Sequence, residues 1–248
     1  MTTESTTEKT TEKTTVLITG ATKGLGQETA RRLALLGWTV WIGARDTAAG
    51  DATAKTIRAD QPDADLRVVR LDVTSDESVA AAYDVVASSG TGLDVLVNNA
   101  GISLGGGSAA ETVPADLTAT YAVNVLGPVR VTHAFLPLLT SSPRARLVMV
   151  SSGLGSIALV NDPARVESHV PGFAYQSSKA ALNMIANQYG RELPSVRVTS
   201  VDPGYTATDL NGHSGYQSVT EGTDAIVAAA SAEHVAGPHI DRLGAIPR

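Results

Sequence analysis

Short runs of β-branched and aliphatic residues alternate with longer Ala- and Leu-rich segments of helical period along nearly the whole 248-residue chain. TVLITG is followed by GQETARRLALLG, TVWIGAR, a helical stretch over 47 to 60, LRVVRLDV and another over 75 to 89. LDVLVNNAG, the stretch 115 to 139, ARLVMVSSG, FAYQSSKAALNMIANQYGREL and VRVTSVDPG continue the pattern. Strand, helix, strand in strict alternation implies parallel strands joined by helical crossovers. Near-continuous apolar strands such as VLIT and LVMV agree, because helices cover both faces of a parallel sheet. The expected fold is therefore α/β: a doubly wound, mostly parallel sheet of about seven strands with helices on both faces, Rossmann-like, in a single domain. Only 4% of residues are aromatic, so Ala, Val and Leu must fill the core, which suits close helix-on-sheet packing.

Composition excludes several classes of function. The net charge is −6 and the 19 basic residues are scattered, so neither a nucleic-acid footprint nor a basic membrane-binding face is expected. With no cysteine there is no disulfide or thiolate chemistry, and the histidines at 133, 169, 213, 234 and 239 lack metal-ligand spacing. No metal is expected. The opening MTTESTTEKTTEKTT is polar, repeats TTEK and carries neither an apolar stretch nor a cleavage signal. Residues 1–15 are expected to be a disordered tail before a domain over 16–248, and the protein is expected in the cytoplasm.

In a doubly wound sheet, ligands bind beyond the carboxyl ends of the strands. Four such ends carry chemistry. TGATKGLG, with glycines at 20, 24 and 26, leaves the first strand and opens a helix, the arrangement that brings backbone up to a pyrophosphate. After the second strand comes GARD, where Ala44 stands in the place expected for the acid that takes a ribose 2′-hydroxyl. Arg45 follows, and Lys23 reaches toward the same region, so a 2′-phosphate and hence NADP(H) is favoured, with Asp46 as a competing ribose acceptor. NNAG supplies Asn98, Asn99, Ala100 and Gly101 in a small-residue turn beside the cofactor path, and SSG delivers Ser151 and Ser152. In YQSSK, Tyr175 and Lys179 stand four residues apart on one helix face, so the ammonium can favour ionisation of the phenol.

TGxxxGxG, NNAG, the serine after the fifth strand, YxxxK and PG occur here in order, and together they resemble the classical short-chain dehydrogenase/reductase family over about 16 to 242. The ATKGLG turn and Ala-Arg-Asp are similar to its NADPH-dependent carbonyl reductases. The resemblance implies reversible reduction of a small ketone or aldehyde by NADPH, with catalytic Asn124, Ser152, Tyr175 and Lys179. Tyr175 would be general acid and base, Lys179 would lower its pKa and hold the nicotinamide ribose, and Ser152 would polarise the carbonyl, with Ser151 as the alternative. Asn124 would support a proton-relay water. The nucleotide would lie against Gly20, Thr22, Lys23, Gly24, Leu25, Gly26, Arg45, Asp72, Val73, Asn98, Ala100, Gly101, Tyr175, Lys179, Pro203, Gly204, Thr206 and Thr208. Leu154 and Tyr205 are candidate pocket walls.

The spacing from Ser152 to Tyr175 exceeds the family's usual one by roughly ten residues. The family's monomeric carbonyl reductases use such an insertion to mask an oligomerisation surface, so a monomer or homodimer is expected rather than a tetramer. The stretch 205 to 218 reads as a lid. An oxidative alcohol dehydrogenase and a non-catalytic NADP sensor are the alternative functions. Exchange of Ala44→Asp is expected to move the ratio of kcat/KM values toward NADH; an unchanged ratio contradicts the NADP assignment.

Overall fold

Thr15 begins the sheet, not residue 16: its N–H donates to Asp94 Oδ2 at 2.8 Å, and it pairs with Thr39 on the next strand. The computed structural model describes residues 13–104 and 108–247; residues 1–12 of the expected tail lie outside the described residues. Strands β1 (Thr15–Thr19), β2 (Thr39–Ala44), β3 (Leu66–Arg70), β4 (Val95–Asn98), β5 (Arg146–Val150), β6 (Arg197–Val201), β7 (His239–Asp241) and β8 (Gly244–Ala245) lie in the order 3-2-1-4-5-6-7-8. All pairings are parallel except β7 with β8. The eighth strand is the one difference from the expected count: the polar end of the chain folds back as a short hairpin.

Alternation within each strand builds the core. Val16, Ile18, Val40, Ile42, Val95, Val97, Val148 and Val150 face one way, onto α1 (Gly24–Leu35) and α2 (Thr47–Asp60). Leu17, Trp41, Leu96, Leu147 and Met149 face the other way, onto α3 (Asp76–Ser88) and the long helix that follows β4. A period of two puts successive side chains on opposite faces, and each face carries its own helices. Burial of one fully enclosed side chain such as Phe135 contributes about 2 kcal/mol, and many such contacts hold the layers.

The long helix runs as α4 (Pro114–Tyr121), a π-helical turn over Ala122–Leu126, and α5 (Gly127–Thr140). By length and composition Pro114–Thr140 passes as a membrane span, but Val131, Phe135 and Leu139 are fully buried against the sheet, as in a core helix. The segment after β5 holds α6 (Ile157–Val160) and leads to α7 (Phe173–Glu192); α8 (Val219–Gly222) and α9 (Asp224–Ser231) follow β6. The loop carrying Ser152 presses on α7 so closely that a Cβ on Gly155 would stand 2.6 Å from the Lys179 carbonyl carbon. Only glycine lets that loop reach the helix.

Candidate active site

The glycine turn is fixed from below by the strand beside it. Gly20 has φ +62, and a Cβ there would stand 3.0 Å from Ala100 Cα. Asn99 Nδ2 donates to the carbonyls of Thr19 at 2.9 Å and Gly20 at 3.1 Å, while the Thr19 hydroxyl accepts from the Asn99 and Ala100 N–H groups. Helix α1 then opens at Gly24 with no side-chain cap, whereas Asp46 caps α2 and Ser75 caps α3. The first N–H groups of α1 are therefore left for an anion, and the turn fits a dinucleotide pyrophosphate.

Around this turn, Thr22 accepts from Thr53 Oγ1 through its carbonyl, and the Leu25 side chain packs toward Gly222. Thr208 Cγ2 lies 3.7 Å from a Cβ position on Gly24. Lys23 Nζ is bonded to Asp209 Oδ2 at 2.7 Å, and Asp209 Oδ1 also meets His213 Nε2 at 2.9 Å. The loop after β6 is thus tied to the glycine turn by an ion pair, and Lys23 is turned toward it.

Ala44 ends β2 and is buried; Arg45 beside it is exposed. Asp46 accepts from the Ala48 N–H at 2.9 Å as the cap of α2, which commits it to the helix rather than to a ribose. Asp72 accepts from the Thr74 hydroxyl at 2.6 Å and its N–H at 2.9 Å. Those bonds, then the charges of Arg45 and Arg70, hold its carboxyl below the usual carboxylate value. Val73 is buried, with its carbonyl accepting from Arg130 Nη1 at 2.6 Å.

Tyr175 and Lys179 come together as one turn of α7 dictates, with Nζ 5.4 Å from the phenol ring centre. Lys179 is buried, and its Nζ donates to the Val150 carbonyl at 2.8 Å. Burial pushes this ammonium down to about 8, against the opposing pull of Asp202. Burial, then the charge of Asp202, raise the Tyr175 phenol well above its ordinary value near 10, while its bond with Ser152 acts the other way. The expected lowering of the phenol by Lys179 is not seen; desolvation sets the direction of its shift. The two adjacent serines part in space. Ser151 is buried and donates to the Lys179 carbonyl at 3.4 Å, whereas Ser152 is the one that meets the phenol.

Asn124 sits in the π-helical turn, fully buried. Its Oδ1 accepts from the Ile102 N–H at 2.9 Å, and its Nδ2 donates to the Ile102 carbonyl at 2.8 Å and to Ser178 Oγ at 3.0 Å. Both donors are spent on protein, so the side chain holds the turn after β4 to α7. Gly101 lies between, where a Cβ would be 3.6 Å from Asn124 Oδ1 and 3.7 Å from Lys179 Nζ.

Other candidates fall elsewhere. Asn98 is buried and donates to Thr132 Oγ1 at 3.0 Å and toward Met149 Sδ at 3.4 Å, so its side chain points into the core, away from the glycine turn. Thr206 is buried with its hydroxyl donated to the Pro203 carbonyl at 3.1 Å, which leaves Thr208 as the threonine at the turn. Gly204 takes φ +71 against Gln217. Leu154 is half-buried and its N–H donates to Ser152 Oγ at 3.2 Å. Tyr205 is exposed, stacked edge to face on Tyr216 at 5.9 Å with its hydroxyl 2.6 Å from Ser214 Oγ. The stretch expected as a lid is drawn together by the Thr206–Gln217 bridge.

The sequence profile of the short chain dehydrogenases matches residues 14–218. The chain belongs to this family. A short-chain dehydrogenase of Penicillium roqueforti is 35% identical over 225 residues, covering 87% of this chain and 88% of its own. Among solved structures, the NADPH-bound carbonyl reductase from chicken fatty liver superposes with a TM-score of 0.80 at 25% identity, covering 94% of this chain and 98% of its own. The alcohol dehydrogenase of Thermococcus sibiricus, complexed with 5-hydroxy-NADP, superposes with a TM-score of 0.76 at 27% identity, covering 88% and 90%. This short-chain dehydrogenase is therefore an oxidoreductase of the doubly wound type.

Asn99 was read from the sequence only as part of the NNAG turn, and Ser178 was not among the sequence candidates. The adjacent pair in NNAG held the signal for the first: neighbours along a strand point to opposite faces, so Asn98 and Asn99 cannot share one environment. Ser178 lies inside YQSSK as spacer, and nothing in sequence links it to Asn124. Exchange of Asn99→Ala is expected to lower unfolding free energy by about 2 kcal/mol and weaken nucleotide binding, read by urea titration and nucleotide fluorescence. Unchanged stability and binding would contradict its role as the support of the turn.

Proposed function

We propose that this protein is an NADPH-dependent carbonyl reductase that reversibly converts a ketone or aldehyde to an alcohol. One observation carries the reading: Tyr175, Lys179 and Ser152 converge at the carboxyl ends of β5 and β6, beside a glycine turn whose helix N-terminus has no cap. NADPH bound there supplies the hydride. The turn over 20–26, with Ala100, Gly101, Pro203, Gly204 and Thr208, would hold its pyrophosphate and nicotinamide half. Arg45 and Lys23 would meet the 2′-phosphate, and Asp72 and Val73 would border the adenine. To do so Lys23 exchanges Asp209 for phosphate, a like-for-like trade of one oxyanion for another. The chicken carbonyl reductase and the archaeal alcohol dehydrogenase, both similar over most of this chain, carry NADPH and an NADP derivative respectively.

The chain's own residues divide the work of proton transfer. Ser152 donates to the carbonyl oxygen and orients it. Tyr175 delivers a proton to that oxygen as negative charge develops there; its raised pKa keeps it protonated across the neutral range, which suits delivery and hence reduction. Lys179 faces the phenolate left behind and holds ribose hydroxyls, while Asn124 keeps Ile102 and Ser178 in register around it. The substrate is a small molecule. The extra length between Ser152 and Tyr175, folded as α6 and 3-10 turns, is the ground for proposing a monomer or dimer, which sedimentation tests: a stable tetramer overturns it.

Exchange of Tyr175→Phe is expected to reduce kcat about 100-fold or more with NADPH affinity retained, followed by NADPH absorbance on a panel of ketones and aldehydes. Activity retained in the mutant contradicts the assignment. Lys179 is an ammonium below about 8 and neutral above it, so kcat/KM for reduction is expected to fall as pH rises through that value. A profile flat across that range contradicts the role given to Lys179.

A further inference from the structure

Beside the proton-transfer pair lies a buried carboxylate that the reaction as described does not use. Asp202 immediately follows β6, and its N–H donates to the Ile240 carbonyl at 2.8 Å, which seats it against β7. Its Oδ1 accepts from the Gly204 N–H at 2.9 Å, and the Gly153 N–H faces the same carboxylate. The approach to the serine loop is close: a Cβ on Gly153 would stand 2.8 Å from Asp202 Oδ2 and 3.0 Å from Glu167 Oε1. One carboxylate therefore touches both the loop that carries Ser152 and the loop that begins at Pro203.

We propose that Asp202 is a positioning residue for the proton transfer: it fixes the Ser152 loop against the Pro203–Gly204 turn and puts a negative charge within electrostatic reach of Lys179. This rests on the reductase reading above.

The charged and titratable groups around Asp202 are few. From α7 come Tyr175 and Lys179; from the segment before α7 come Glu167 and Arg165, paired with each other at 3.0 Å; from β7 comes Asp241. Arg165 is already held by Glu167, so Lys179 is the cation left to Asp202. A buried ammonium whose hydrogen bond goes to a neutral carbonyl is costly to keep charged, and a nearby carboxylate offsets that cost. The direction of the shifts agrees: burial lowers Lys179 while Asp202 raises it, and Asp202 also raises Tyr175. Without the Asp202 charge the ammonium deprotonates at lower pH, which moves the alkaline limb of the reaction downward. Burial, then the charges of Glu167 and Asp241, raise the pKa of Asp202 itself, so its effect grows toward the alkaline side.

The test compares Asp202→Asn with Asp202→Ala. Asparagine keeps an oxygen for the Gly204 N–H and removes the charge; alanine removes both. Two readouts are followed, the pH profile of kcat/KM and the titration of the Lys179 13Cε resonance in lysine-labelled protein, which has five lysines and is assigned with Lys179→Arg. Both are expected to move to lower pH by about one unit in the Asn variant, with kcat at neutral pH falling further in the Ala variant. Turnover by the unaltered protein with both readouts unmoved in the Asn variant overturns the proposal and leaves the reductase reading intact. Absence of turnover in the unaltered protein overturns the reductase reading, and the Lys179 titration then decides on Asp202 alone: a downward shift retains the charge role, no shift removes it.

Discussion

A parallel sheet covered by helices on both faces leaves the protein one place for polar chemistry, the carboxyl ends of its strands. Every strand from β1 to β6 stops within two residues of a group at the candidate site, β3 at Asp72. β1 gives way to Gly20, β2 to Arg45, β4 to Asn99, β5 to Ser152 and β6 to Asp202. The two apolar faces fix those ends relative to one another, because a slip of one residue would turn Val and Ile out of one layer and into the other. Helix α7 is the part that crosses to meet them. It reaches the strand ends through a lysine bonded to the last carbonyl of β5 and through a loop that only glycine lets approach.

The electrostatics follow from that burial. Burial of Lys179 and partial burial of Tyr175 push their proton affinities in opposite directions, the phenol up and the ammonium down. A site tuned in this way holds a proton on the phenol and a labile charge on the lysine, which is the state needed to hand a proton to a developing alkoxide. Attraction between charges is stronger in such a site than in water, so a single carboxylate at Asp202 weighs on both groups. At the exposed mouth the same logic is weaker. Lys23 and Asp209 are bonded but solvated, and such pairs are easily exchanged for another anion.

Much of this was legible in the sequence. The alternation of apolar runs, the glycine turn and the four-residue spacing of Tyr175 and Lys179 report backbone periods directly, and the structure places each where those periods put it. Choices between adjacent residues were not legible. Asn98 against Asn99, and Ser151 against Ser152, depend on the phase in which a strand ends, and a shift of one residue sends a side chain to the core or to the site. Asp46 and Thr206 satisfy backbone groups locally, a helix cap in one case and a turn in the other, and their residue types suit either task. Burial of the phenol hydroxyl depends on packing between α7 and the loops, which no local pattern encodes.

The most direct measurement follows deuterium from NADPH labelled at C4 of the nicotinamide into the product formed from an activated ketone or aldehyde. Carbonyl reduction places the label on the carbinol carbon, with NADH a poorer donor. Tight binding of NADPH with no transfer of label to any carbonyl substrate would contradict it.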